Sequence, residues 1–118
     1  ERFQVPIGRD IDLPLTLPWQ HPDGYSAFHL YVIRLQLDGL ATTHRQVFEA
    51  MRAADIMVNL HYIPVHTQPY YRQMGFRPGD YPEAESYYRE AISIPMHPQL
   101  TDAEQDRVIE VLREALVR

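Results

Sequence analysis

Continuous and alternating apolar residues predict strands in two parts of the first half of the chain. Residues 28–37 are rich in β-branched and aromatic side chains and end at the turn signal Asp38-Gly39. A second apolar run breaks into polar and aromatic residues, and we expect a strand over 56–65. A shorter extended segment at 92–96 is stopped by Pro95 and Pro98.

Helical periodicity appears between and after these segments. Two capping boxes, Thr43 with Gln46 and Thr101 with Glu104, precede apolar residues spaced three and four apart. Asp80 is the expected cap of a further helix that begins with proline. The predicted helices are 44–54, a short helix after Thr67 that stops at Gly75, 82–91 and 102–117.

The order of these elements predicts an α/β (α+β) fold. A chain of 118 residues has the length of one domain, and strand–helix–strand is the minimal α/β unit. We expect a small sheet of about three to four strands with helices covering one face. Residues 1–26 are punctuated by proline and glycine and are predicted to be an extended arm or domain-junction segment, which packs poorly or against a neighbouring molecule. Its prolines limit it to edge or irregular pairing in a sheet. Residues 27–118 then form the domain.

Composition removes several classes of function. The net charge is −5, so no basic face indicates nucleic-acid binding. The absence of cysteine excludes disulfides, thiolate catalysis and cysteine-type zinc sites. Apolar runs are far shorter than the ~20 residues of a membrane span. All 11 basic residues are arginines, so chemistry that needs a side-chain amine must obtain it from elsewhere.

The segment 61–71 carries the most chemistry, because it contains two histidines, three tyrosines and two prolines. His66 and Tyr62 fall on one side of the predicted strand, where the strand ends. An imidazole in that position can hydrogen-bond a carboxylate or a hydroxyl near neutral pH. The alternative is that one histidine is satisfied by backbone partners and the other lies at the surface.

Other chemistries have weaker support in the sequence. His61 and His66 are five residues apart and point to opposite faces of a regular strand, so a shared metal ion is disfavoured. Arg34 and Arg72 are candidates for binding a carboxylate or phosphate, but surface arginines are common. The chain has no close pair of acids typical of glycoside hydrolases and no glycine-rich phosphate loop.

Three motifs resemble the small C-terminal domain of DegT/StrS-class nucleotide-sugar aminotransferases, over about residues 27–116. They are His61-Tyr62-x-Pro64-x-His66-x-x-Pro69-Tyr70-Tyr71, Gly79-Asp80-Tyr81-Pro82-x-Ala84-Glu85 and Ser93-Ile94-Pro95-Met96-x-Pro98-x-Leu100-Thr101. Within that class the motifs are most similar to the transaminases of pseudaminic acid biosynthesis, which act on a UDP-4-keto-6-deoxy-hexosamine.

The resemblance implies a protein of the aspartate-aminotransferase fold (fold type I) that uses pyridoxal phosphate. In such enzymes a large domain binds the cofactor and carries the lysine that holds it, and a small domain closes over it. Glutamate donates the amino group, which passes to C4 of the nucleotide sugar during cell-surface or flagellar glycan synthesis. A homodimer in the cytoplasm is also implied, with neither nucleic acid nor membrane as partner.

For this chain the resemblance implies the small domain without the large one. Lacking lysine, the chain is expected to be inactive alone, with no catalytic, cofactor-binding or metal-binding residue of its own. By resemblance His66 lies near the amino-donor carboxylate or the sugar, with Tyr62 and His61 as further substrate-binding candidates. A non-catalytic small-molecule-binding module and a protein-interaction domain that docks through residues 11–19 remain alternatives.

Overall fold

A computed structural model of the chain describes residues 13–27 and 29–117. Predictions for residues 1–12 and for the first residue of the strand at 28–37 lie outside this range. The strands are β1 (Leu15–Thr16), β2 (Tyr31–Leu35) and β3 (Ala91–Ile94), and the helices are α1 (His44–Ala53), α2 (Pro69–Gln73), α3 (Pro82–Glu90) and α4 (Asp102–Val117), with a 3₁₀ turn at Val65–Thr67.

The strands form one antiparallel sheet in the order β1-β2-β3. Leu15 pairs with Leu35 at one edge, and Ile33 pairs with Ile92 between β2 and β3. All four residues of β3 are buried, whereas β2 buries Ile33 and Leu35 and leaves the intervening residue half-exposed. The α+β fold predicted from the sequence is therefore confirmed, with an antiparallel sheet of three strands.

The core lies where this sheet meets α1 and α4. Helix α1 contributes Val47 and Met51, and α4 contributes a stripe at helical spacing that includes Val108 and Leu112. Arg107 also donates to the Ala54 carbonyl at the end of α1 over 3.1 Å, which joins the two helices. The buried cluster contains Ile33, Leu35, Val47, Met51, Ile56, Val58, Ile92, Ile94, Val108, Leu112, Ala115 and Leu116.

Both predicted capping boxes are present. The backbone N–H of Gln46 donates to the Thr43 hydroxyl, and the Gln46 side chain accepts from the Thr43 N–H over 2.9 Å. At α4, the Glu104 carboxylate accepts from both the backbone N–H and the hydroxyl of Thr101, at 2.7 and 3.0 Å. These bonds satisfy helix-start N–H groups that have no partner within the helix.

The predicted cap of α3 is wrong. Tyr81, not Asp80, occupies the cap position, and no side chain caps this helix. The Asp80 carboxylate instead accepts from the Arg77 backbone N–H over 2.8 Å and closes the Arg77–Asp80 turn. An aspartate can cap a helix or close a turn, and the proline and glycine between these two residues favour the turn.

The predicted strand over 56–65 is also wrong. Only Asn59 pairs with the sheet: it exchanges both backbone hydrogen bonds with Ser93, at 2.9 and 3.1 Å. The apolar run serves the core instead, because Ile56 and Val58 are buried. Pro64 has no amide hydrogen to continue a ladder, and its carbonyl accepts from the Thr67 N–H as the chain turns into the 3₁₀ segment.

The described part of the predicted arm contributes one edge of the sheet. Leu15–Thr16 pair with β2, and Leu13, Leu15 and Leu17 pack against the core. The prediction that this segment packs poorly is therefore wrong for these three leucines. Trp19, in contrast, is 79% exposed, so the apolar surface of the segment is only partly covered. The prolines restrict the pairing to two residues at the edge, as the sequence predicts.

Burial at the core predicts unequal costs for two chemically identical substitutions. Met51 is fully buried and Met57 is 64% exposed. We expect Met51→Ala to lower the free energy of unfolding by about 2–5 kcal/mol through lost burial and a cavity, and Met57→Ala to change it by less than about 0.5 kcal/mol. Urea unfolding of the 118-residue chain measures both. Equal losses in the two variants would contradict the core described here.

The second capping box predicts a local pH dependence. Hydrogen bonds from the backbone and hydroxyl of Thr101 lower the pKa of Glu104 below its ordinary value. A depressed carboxyl pKa contributes stability above the unfolded pKa, and this contribution is lost as the pH falls through the folded pKa. We expect Thr101→Ala to raise the pKa of Glu104 part of the way back, because the backbone bond remains. Carboxyl ¹³C titration by NMR measures it, and an unchanged pKa would rule out the hydroxyl contribution.

Candidate functional site

The Asn59–Ser93 bridge places His61 next to the buried strand β3. Nδ1 of His61 lies 2.7 Å from the Ser93 hydroxyl, within hydrogen-bonding distance, and the Ser93 side chain is buried. The His61 ring also contacts the Tyr62 ring edge-on, with centroids 4.6 Å apart. His61 is therefore held by the sheet, and its hydrogen bond to Ser93 leaves the other ring nitrogen for further contacts.

Tyr62 lies at the surface. Its side chain is 68% exposed, and the residue follows a cis peptide bond after His61. The neighbouring Ile63 and Val65 are exposed as well. Because Tyr62 is exposed, a ligand can reach it without rearrangement of the core. Its phenol can both donate and accept hydrogen bonds, so that ligand can be polar.

His66 is in a different environment. It is only 6% exposed, and its Nε2 lies 3.4 Å from Oε2 of Glu85. This distance is within ion-pair range, but the geometry is not that of a hydrogen bond, and Nε2 is buried without a hydrogen-bond partner. The His66 ring packs against the Tyr81 ring with centroids 4.9 Å apart. The imidazole is thus enclosed on one side by an acid and a phenol.

Glu85 itself is anchored to the loop before α3. Both of its carboxylate oxygens accept from the backbone N–H of Gly79, at 2.8 and 3.0 Å. Gly79 has φ +97°, a conformation that favours glycine. One carboxylate therefore links the first turn of α3 to the Arg77–Asp80 turn and to His66.

A ridge of aromatic rings extends away from His66. Tyr70, Tyr71, Phe76 and Tyr81 contact one another in sequence, with centroids 5.2, 6.1 and 6.2 Å apart, and Tyr81 contacts His66. Tyr70 is 67% exposed and Tyr81 is 50% exposed. This aromatic ridge presents apolar faces and phenolic hydroxyls together, which suits a ligand with both apolar and hydroxyl-bearing parts.

Arg34 is already paired within the domain. Its guanidinium contacts Glu90 Oε2 through Nε at 3.0 Å and through a terminal nitrogen at 2.8 Å, and it lies over the Tyr87 ring. Arg72 on α2 is exposed. Arg34 therefore has a structural partner in place of the ligand considered from the sequence.

Burial raises the pKa of Tyr31 in β2 above its ordinary value, so that its hydroxyl remains neutral.

The predicted site residues fall into two groups. His61 and Tyr62 contact each other, and His66 contacts Glu85 and Tyr81. Within residues 13–27 and 29–117, no hydrogen bond, ion pair or ring contact joins the groups. Sequence reasoning missed Ser93 and Glu85 as partners. Both stand in the motifs that carry the family resemblance, which was the available signal.

The described residues offer little support for other kinds of site. They contain no group of three histidine, cysteine, aspartate or glutamate side chains placed to hold a metal ion. Among their helices, none is both long and apolar enough to cross a membrane. A shallow groove of about 400 Å³ lies between α1 and α4 and is lined by residues such as Ala50, Arg107 and Val111. These helices do not carry His61 or His66.

Comparison with known proteins identifies relatives of similar sequence. The spore coat polysaccharide biosynthesis protein SpsC of Bacillus subtilis is 36% identical over 102 residues, which are 85% of this chain and 26% of SpsC. The chain therefore spans about a quarter of the length of this relative.

Solved structures show the same fold. DesV of S. venezuelae, solved with a ketimine intermediate, matches with a TM-score of 0.77 and 30% identity, over 89% of this chain and 27% of DesV. PseC of Helicobacter pylori, an aminotransferase involved in the biosynthesis of pseudoaminic acid, matches with a TM-score of 0.65 over 75% of this chain and 23% of PseC. At 22% identity, PseC shows similarity of fold alone.

The family comparison covers most of the chain. Residues 9–113 match the DegT/DnrJ/EryC1/StrS aminotransferase family. This range includes the sheet, all four helices up to the last turn of α4, and the segment from His61 to Glu85. The chain belongs to the DegT/DnrJ/EryC1/StrS aminotransferase family.

Proposed function

We propose that this chain is the small C-terminal domain of a pyridoxal-phosphate-dependent sugar aminotransferase. The observation that carries the proposal is the family match over residues 9–113, in a chain that corresponds to about a quarter of its relative SpsC. Residues 1–26 would form the junction with the rest of the enzyme and add the edge strand β1 to the sheet. Residues 27–118 would form the remainder of the domain that closes over the active site. The working enzyme would be a cytoplasmic homodimer.

The proposed reaction is transfer of an amino group from glutamate to C4 of a UDP-4-keto-6-deoxy-hexosamine. Motifs around His61, Gly79 and Ser93 support this choice through their resemblance to transaminases of pseudaminic acid biosynthesis. The name of SpsC, a polysaccharide biosynthesis protein, is compatible with a product used in cell-surface or flagellar glycans.

Pyridoxal phosphate does not fit this chain by itself. The cofactor acts as an electron sink when it is bound in an aminotransferase, and its attachment needs a lysine side chain, which this sequence lacks. Residues outside this chain would have to hold it. Alone, the chain is therefore expected neither to bind the cofactor covalently through a side chain nor to transfer amino groups.

The role of this chain would be to bind and orient substrate. His66, Tyr62 and His61 are the proposed substrate-binding residues. Tyr62 is exposed at 68% and can exchange hydrogen bonds with a hydroxyl or phosphate group. His61 is oriented by Ser93, and the aromatic ridge beside His66 would exclude water from an apolar face of the ligand.

An amino-transfer assay on the protein as its gene encodes it tests this function. With ¹⁵N-labelled glutamate and a UDP-4-keto-6-deoxy-N-acetylhexosamine, we expect ¹⁵N at C4 of the sugar, detected by mass spectrometry and NMR. A dTDP-4-keto-6-deoxyhexose serves as the matched alternative substrate. Transfer only to the dTDP sugar would overturn the substrate assignment. No transfer to either sugar, with pyridoxal phosphate supplied, would favour a non-catalytic binding or interaction domain.

Substitution of His66 separates a ligand contact from a structural role. Losing a hydrogen bond to a neutral hydroxyl costs about 0.5–1.5 kcal/mol, and losing one to a charged group costs about 1.5–3 kcal/mol. We therefore expect His66→Ala in the whole enzyme to lower kcat/KM by roughly two- to ten-fold if His66 binds a hydroxyl. If it binds a carboxylate, the expected loss is roughly ten- to a hundred-fold. His29→Ala, at an exposed histidine, is the control. Normal kcat/KM in both half-reactions with a lower melting temperature would assign His66 to structure alone.

A further inference from the structure

One ring nitrogen of His66 is buried without a hydrogen-bond partner. Nε2 is enclosed, has no hydrogen-bond partner, and points to within 3.4 Å of a carboxylate oxygen of Glu85. A typical N–H···O bond is about 2.9 Å long. A buried polar atom without a hydrogen-bond partner destabilises the folded protein, so the protonation of this nitrogen affects the stability of the fold.

The charge of Glu85 decides which ring nitrogen carries the proton. A neutral imidazole has one N–H and one lone pair. A lone pair on Nε2 would face an acceptor-only carboxylate and be repelled, whereas an N–H there would be attracted and could form a bond after a small movement. The favoured neutral form of His66 therefore carries its proton on Nε2.

Glu85 can impose this choice because its own position is set independently of His66. Both of its oxygens accept from the Gly79 N–H, at 2.8 and 3.0 Å, and its side chain is 17% exposed. Tyr81 packs against the His66 ring and restricts its rotation. The carboxylate is thus fixed to the loop, and the histidine adjusts to it.

We propose that Glu85 is a positioning residue that holds His66 as the Nε2–H tautomer, so that Nδ1 is left as a hydrogen-bond acceptor. Of the two ring nitrogens of His66, only Nε2 is buried without a hydrogen-bond partner, and Nδ1 does not share this property. An acceptor nitrogen binds a donor, such as a sugar hydroxyl, and repels a carboxylate. This narrows the two ligand groups considered for His66 to the hydroxyl of the sugar. The tautomer stands on the geometry alone, while the identity of the ligand rests on the proposed aminotransferase function.

NMR of the protein as its gene encodes it, labelled with ¹⁵N at histidine, tests the tautomer directly. At about pH 9, well above the ordinary histidine pKa of about 6.5, His66 should show a protonated Nε2 and an unprotonated Nδ1. The Nε2 proton should exchange slowly with water. His66→Ala assigns the signals, and His61, bonded to Ser93 through Nδ1, is an internal reference.

Variants of Glu85 test whether it is responsible. The Nε2–H group could bond the Glu85 carboxylate after a small movement, and a bond to a charged acceptor is worth about 1.5–3 kcal/mol. If that bond protects the Nε2 proton in solution, Glu85→Gln and Glu85→Ala should speed its exchange by roughly ten- to a hundred-fold. If Glu85→Ala does not fold, Glu85→Gln still tests the role of the charge, because glutamine has nearly the same shape as glutamate. Glu83→Ala, an exposed acid in the same helical turn, should leave the exchange unchanged. A proton on Nδ1 in the wild type, or unchanged exchange in both Glu85 variants, would overturn the proposal.

Kinetics keep this inference distinct from the proposed function. In the active enzyme, Glu85→Gln should lower kcat/KM for the sugar half-reaction and leave the glutamate half-reaction within about two-fold of wild type. A selective loss in the glutamate half-reaction would overturn the assignment of the ligand group. If the wild-type protein transfers no amino group at all, the proposed function fails, while the NMR result still decides the tautomer.

Discussion

The buried strand β3 is the element on which the rest of the structure depends. Its four residues are all enclosed, and it pairs with β2 along its whole length. On its other side, Ser93 exchanges backbone hydrogen bonds with Asn59, and its hydroxyl lies 2.7 Å from Nδ1 of His61. The four residues of β3 therefore determine both the packing of the core and the position of His61, a candidate substrate-binding residue.

The second half of the site is built by a turn and a carboxylate. Gly79 adopts a backbone conformation that favours glycine, and its N–H is bound by Glu85 from the first turn of α3. The same acid faces His66. The aromatic ridge then continues from His66 to exposed tyrosines. A rigid polar centre next to an exposed aromatic surface is an arrangement suited to binding part of a ligand and leaving the remainder to another surface.

Much of the fold could be predicted because the signals were local. The capping boxes at Thr43 and Thr101 and the helical stripes behind them need only a few neighbouring residues to form. The strand at 56–65 failed because an apolar run followed by proline fits both a strand and an irregular segment that buries Ile56 and Val58. Tertiary packing decided between them. The partners of His61 and His66 lie 32 and 19 positions further along the chain, at Ser93 and Glu85. No local pattern reports such contacts.

The most direct test of the central claim is a crystal structure of the protein as its gene encodes it, with pyridoxal phosphate and a UDP-amino sugar bound. The claim is that the segment from His61 to Glu85 binds the sugar of a nucleotide-sugar substrate. The structure should then show a sugar hydroxyl within about 3.2 Å of Nδ1 of His66, with Nε2 still facing Glu85. A ligand that lies away from this segment, or a carboxylate bound at Nδ1, would contradict the claim.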